Sequence, residues 1–168
     1  GTGFDLQMNV HSTVRGEDGE PTVTEFSTYN SVVEQVFEDW ADDVCAITPD
    51  NSPMSHFEFQ VMALERWIQD GEVFVHLIPH KTKILQLEFI EPEALDVYKT
   101  SNGKNPVILG VEVHEKTGKP VAYWINKKVP GEFDTFATGE SVRIPAERIV
   151  HSFIRKYPRQ LRGIPWMS

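Results

Sequence analysis

The sequence predicts an α+β fold, with two N-terminal amphipathic helices followed by a mostly antiparallel β-sheet. Three observations predict it. Two capping-box patterns, Ser31-Val-Val-Glu34 and Ser55-His-Phe-Glu58, each open an apolar run of helical period. After Gly71 the period changes from helical to alternating. Finally, 107–126 reads as a hairpin, two alternating runs around Lys116-Thr-Gly-Lys119. Helices first and strands afterwards is the order of an α+β domain, not of a parallel α/β sheet.

The elements follow in chain order. Residues 1–28 show no sustained period and read as an irregular segment. Leu6, Met8 and Val10 permit one short strand, and Gly16-Glu-Asp-Gly-Glu-Pro21 is a turn-rich tract. Residues 29–168 read as a single domain. Val32, Val33, Val36, Phe37, Trp40, Ala41 and Val44 follow one helical face, with Glu34, Glu38, Asp39, Asp42 and Asp43 opposite. Residues 49–53 read as a loop. The second helix carries Phe57, Val61, Leu64 and Ile68 on one face and stops at Gly71, where a C-cap glycine is expected. The run 73–78 is apolar on both faces apart from His76, as in an interior strand. Leu85, Leu87 and Phe89 alternate with polar residues, as in a strand with one wet face. A turn or one helical turn is expected at 91–96, and a further turn at Asn102-Gly103. The stretch 127–141 reads as a polar loop, after which Val142 begins a final pair of strands joined by Pro145-Ala-Glu-Arg148.

Composition sets bounds. The 168 residues, 40% of them hydrophobic, can bury one sizeable core. Apolar runs extend for only a few residues, so no membrane-spanning helix is expected, and the first residues lack the pattern of a secretory signal. The chain has no initiating Met and stops soon after Trp166, which reads as a piece of a longer gene product with Gly1 a cloning remnant. The single cysteine, Cys45, excludes an intramolecular disulfide, and its place after Trp40, Ala41 and Val44 suits a buried thiol. Against 16 basic residues stand 25 acidic ones, a net charge of -9. A duplex-gripping domain carries the opposite balance. An acidic surface repels DNA, since like charges repel, and it equally suits a protein that is simply soluble.

Catalytic signatures are scarce. His76 and His80 have the spacing of a helical metal pair but fall on a strand, where four residues span about 13 Å. No Cys pair supports a zinc site, and the carboxylates at 38, 39, 42 and 43 suit a solvated helix face better than a cation site. Neither a nucleophile elbow, a P-loop nor a dinucleotide fingerprint is present. No cofactor and no metal is therefore expected. The positive charge concentrates late, in Arg148, Arg155, Lys156, Arg159 and Arg162, followed by Pro165-Trp166, where Pro suits the first turn of a helix. Arg155, Lys156, Arg159, Arg162 and Trp166 are the candidate contacts to a neighbouring subunit or to DNA phosphates; a solvated loop is the competing reading.

Ile144-Pro-Ala-Glu-Arg-Ile-Val-His-Ser-Phe153, a short basic stretch, then Arg162-Gly-Ile-Pro-Trp166 resembles the lambda-type phage portal proteins. Five further stretches occur in the order that family shows: the Trp40 helix, the helix 57–67, Gly71-Glu-Val-Phe74, 85–90, and Gly110-Val-Glu-Val113 with Gly118-Lys-Pro-Val-Ala-Tyr123. The resemblance spans 39–166; the first thirty residues and 127–139 carry no signature of it. It implies a ring of about twelve subunits at one capsid vertex, through which double-stranded DNA is packaged and ejected. A separate terminase hydrolyses ATP, and capsid, scaffold and head-completion proteins dock on the ring. It further implies that 29–168 is a wing-like domain cut before the downstream stem and clip. The localisation implied is the virion, with host cytoplasm during assembly, and no catalytic residues. The alternative is a small α+β ligand-binding domain, or a hydrolase using carboxylates with His76 or His151, which requires a deep pocket where these groups converge.

Overall fold

A computed structural model describes residues 11–15, 21–25, 27–43, 46–47, 52–81, 85–128 and 136–166. The described residues begin with an antiparallel pair, β1 (His11–Arg15) against β2 (Pro21–Glu25), where an irregular segment was expected. Helix α1 (Ser27–Asp42) leads to two short strands, β3 (Ala46–Ile47) and β4 (Pro53–Met54), and then α2 (His56–Asp70). The strands β5 (Glu72–Ile78) and β6 (Gln86–Ile90) follow, with a 3-10 turn at Pro92–Ala94. Next come β7 (Val107–Ile108), β8 (Val111–Val113), β9 (Pro120–Lys128) and β10 (Phe136–Pro145). A second 3-10 turn, Ala146–Arg148, leads into β11 (Ile149–Phe153). Expectations for Leu6, Met8, Val10, Val44 and Cys45 fall outside the described residues.

Two larger sheets result, a five-stranded one in the order β11-β5-β6-β3-β4 and a four-stranded one in the order β10-β9-β8-β7. All pairings are antiparallel except β3 with β6. Alternation along β5 builds both cores. Val73 and Val75 face α2, joining Phe59, Leu87 and Phe89; Phe59 stacks on Phe89 with ring centroids 4.3 Å apart. Phe74 points the other way, joining Leu95, Val111, Val113, Tyr123 and Ile149 against the four-stranded sheet. Each fully buried aromatic or aliphatic side chain here contributes about 1.5–3 kcal/mol.

Several local expectations change. Helix α1 starts at Ser27, so Ser31 lies in its second turn; Ser27 and Thr28 are equally good starters, and one interior Ser costs a helix only tenths of a kcal/mol, about 0.5 at most. Its inward side is narrower than the apolar run suggests, and Val32 and Val36 are exposed. The second capping box holds: Ser55 Oγ accepts from the Glu58 amide while the Glu58 carboxylate accepts from the Ser55 amide. Gly71 ends α2 in the left-handed region, φ 78°. The stripe Phe57, Val61, Leu64 and Ile68, however, faces outward, with Leu64 56% exposed; the sheet is covered by Phe59, Met62 and Ala63 instead.

Among the strands, the run 107–113 is folded back on itself. Leu109 and Gly110 both have positive φ (52° and 82°), the signature of a two-residue hairpin turn, hidden because Leu occupies the place Asn usually takes. Within the expected polar loop, Phe136 already pairs with Lys128, and the register slips before Ser141 pairs with Asn126; that irregularity breaks the alternation a strand would show. Pro53, expected in a loop, pairs with β3 together with Met54. The last two strands do not pair with each other: β10 joins β9 in one sheet and β11 joins β5 in the other, with Pro145-Ala-Glu-Arg148 as the crossover.

Candidate functional site

The end of the described chain is held against the junction of α2 and β5. Gly71 turns the chain out of α2, which delivers Glu72 into the interior at 3% exposure. A buried carboxylate is tolerable only when its oxygens are supplied with donors. Glu72 Oε1 accepts from Arg162 Nε at 2.8 Å, and Oε2 accepts from the Gly163 amide at 2.6 Å and from His151 Nε2 at 3.0 Å. Because the carboxylate can only accept, Nε2 carries the proton, and the neutral ring then accepts the Tyr123 hydroxyl at Nδ1, 3.2 Å away. The ring also stacks on Phe74, with centroids 4.0 Å apart. Arg162 Nη1 donates to the Leu109 carbonyl at 2.8 Å and Nη2 to the Pro92 carbonyl at 3.1 Å, with Nη2 also 2.7 Å from Glu72 Oε1. The left-handed Leu109 is thus fastened to the same guanidinium.

Two glycines make this closeness possible. A Cβ on Gly71 would overlap the Ile164 carbonyl, and one on Gly163 would overlap the Gly71 carbonyl. Backbone crosses backbone there, and no other residue type fits. Burial pushes the Glu72 carboxyl up, but the hydrogen bonds from His151, Arg162 and Gly163 outweigh it and hold the group below the usual carboxylate range. Burial likewise pushes His151 down, against the pull of Glu72, keeping the ring neutral. Burial raises the Tyr123 hydroxyl to about 12, so it remains a donor. Glu72, His151 and Tyr123 together form a proton-sharing chain, but one sealed from substrate by the two sheets.

A second buried carboxylate stands in the four-stranded sheet. Glu112 accepts from Arg143 Nε (2.8 Å), Asn105 Nδ2 (2.9 Å) and Trp124 Nε1 (3.1 Å). The hydrogen bonds from Arg143 lead the lowering of this carboxyl to about 2, outweighing its burial.

Between β11 and Arg162 the chain makes a basic loop braced from within. The buried Gln160 side chain accepts from the Lys156 amide at 2.6 Å and donates to the Arg162 carbonyl at 2.8 Å. Arg155, Lys156 and Arg159 project outward from this braced loop. Of the five residues singled out in the sequence, Arg162 is the one directed inward. Trp166 is 51% exposed and leans on Trp67, centroids 5.7 Å apart. Ile154, Lys156, Ile164 and Trp166 line a shallow groove of about 230 Å³.

The described histidines do not converge. His76 pairs across strands with Glu88 at 2.9 Å, His114 Nδ1 accepts turn amides from Lys116 and Thr117, and His56 packs beside Phe37 and Trp40. Among the described residues no group of three or more His, Cys, Asp or Glu side chains could hold a metal ion, and no helix is long and apolar enough to cross a membrane. The sequence alone singled out neither Glu72 nor Gln160. The one signal was that Gly71-Glu72, His151 and Arg162-Gly163 all belong to the recurrent stretches, which the fold brings to a single point.

The chain is 34% identical over 143 residues to a "Probable portal protein" of Halomonas phage phiHAP-1, a match covering 80% of this chain and 26% of that relative. The chain thus spans about a quarter of that relative's length. The family model described as phage portal protein, lambda family, matches residues 1–168. This chain belongs to the lambda family of phage portal proteins.

Proposed function

We propose that this chain is the outer, wing part of a portal subunit, with 29–168 as the wing body. About twelve copies of the whole protein form a ring at one vertex of the phage head, and DNA passes through its centre during packaging and ejection. The family match over the full chain carries this reading. The fold supports a mechanical role: the heavily hydrogen-bonded carboxylates of Glu72 and Glu112 fasten strands and loops instead of lining a cleft. The net charge of -9 suits a body that DNA passes without adhering. Terminase, scaffold or capsid protein and head-completion proteins are its partners in the virion and, during assembly, in the host cytoplasm. Ligand binding or hydrolysis through His76 or His151 finds no support in the geometry, since His76 is tied to Glu88 and His151 lies inside the molecule.

Negative-stain electron microscopy of the full-length gene product, expressed with its scaffold, tests the proposal. Rings with a central hole are expected. Small monomeric particles under those conditions count against it.

A further inference from the structure

The segment 154–166 offers a surface that is apolar in the middle and basic at its border. The groove between Ile154 and Trp166 has Lys156 on its rim, with Arg155 and Arg159 exposed beside it. The outer side of α1 is its chemical complement. Tyr29, Val32 and Val36, spaced by three and four residues, form an exposed apolar strip; Val32 is 57% exposed. At 100° per residue the exposed Asp39 lies about 20° beyond Val32, with Asp42 and Glu38 continuing the acidic row about 80° and 120° round, while the inward Trp40 borders the strip on its other side.

The two surfaces lie at opposite ends of α2. Helix α1 meets it at His56, through Phe37 and Trp40 at 5.5 and 5.3 Å, whereas Trp166 meets it at Trp67. Eleven residues of helix separate these points, about 17 Å. The order of the five-stranded sheet separates them too, with β11 and its basic loop at one edge and β3 and β4, beside α1, at the other. A single copy cannot bring them together, but two copies placed head to tail can. Such a heterologous contact repeats from copy to copy and closes into a ring when the rotation allows.

We propose that the α1 strip of one copy seats in the 154–166 groove of the next, with the acidic row facing Lys156, Arg155 and Arg159. This rests on the ring reading above and names the surfaces by which neighbouring wings touch. Four exposed positions test it in the full-length protein. One variant carries Arg155→Glu with Lys156→Glu, a second carries Glu38→Lys with Asp39→Lys, and a third carries all four. The fraction in rings is read by sizing with light scattering and by negative stain, and circular dichroism checks each fold. Each two-site variant is expected to lose at least about tenfold in ring fraction at low salt, since like charges then face each other. The four-site variant, with the charges exchanged, is expected to recover it. Two-site variants that assemble normally, or a four-site variant no better than they are, overturn the contact. A wild-type protein that forms no rings overturns the ring reading first, and is seen before any variant is made.

Discussion

Glu72 concentrates more of the tertiary structure than any other single residue described. Its partners His151, Arg162 and Gly163 lie 79 to 91 residues away, so no local pattern announces it. Removing one partner of a buried ion pair strands the other, at a cost of about 3–5 kcal/mol. Glu72→Ala and Arg162→Ala are each expected to destabilise by that amount in urea unfolding, and the double variant by much less than the sum, because both break one network. The protonation balance gives a second test. His151 has a lowered pKa in the folded protein, so the unfolded chain binds more protons below its ordinary value of 6.5. The stabilisation is present above that value and is lost as pH falls through it toward the folded pKa. Glu72, also lowered, adds a further loss below its ordinary 4.5. The melting temperature is therefore expected to drop between pH 7.5 and 5, with a shallower slope in His151→Gln. His56 is lowered by burial too and acts in the same direction, so His56→Gln reads its separate share. An unchanged slope in both variants rejects this account.

At the scale of elements, α2 shows what the sequence could and could not tell. Its ends were legible because caps are local: Ser55 and Glu58 are three residues apart, and Gly71 needs only its own φ. Its orientation was not legible, because the helix is apolar on two sides and periodicity alone does not say which side meets the sheet. Truncation discriminates the two sides. Phe59→Ala is expected to cost about 3–5 kcal/mol, while Leu64→Ala, on the outward stripe, should stay within about 0.5 kcal/mol in the isolated chain. Exchanged costs would show the helix rolled by half a turn. Strand partners were hidden for a related reason. Hydrophobic alternation marks a strand but not its sheet, so β10 and β11, adjacent in sequence, looked like a pair although a 3-10 turn sends them to different sheets.

For the whole molecule, the α+β class followed from the order of periods, and the family from stretches that proved to be spatial neighbours. Gly71-Glu72, His151 and Arg162-Gly163 meet at one point, while the Glu112 carboxylate organises the other sheet. The basic residues were legible as a cluster, but only the fold could separate the inward Arg162 from the outward Arg155, Lys156 and Arg159. The isolated chain is expected to be a monomer or a weak oligomer by sizing with light scattering, because one wing contact without the rest of the ring buries little surface. A stable closed ring of this chain alone would refute that expectation.

The crossing of Gly71 and Gly163 also decides where tension goes. A pull applied at Trp166 does not begin by peeling β11 from the sheet edge, one hydrogen bond at a time. It reaches the glycine crossing and the Glu72–Arg162 bonds first, and through them enters β5, an interior strand joined to a neighbour on each side. Those bonds resist together, as a clamp does, and the strain passes on into α2 and both cores. Stretching one such molecule by its ends should therefore yield in one abrupt step, and Gly163→Ala should turn that step into gradual unravelling at low force.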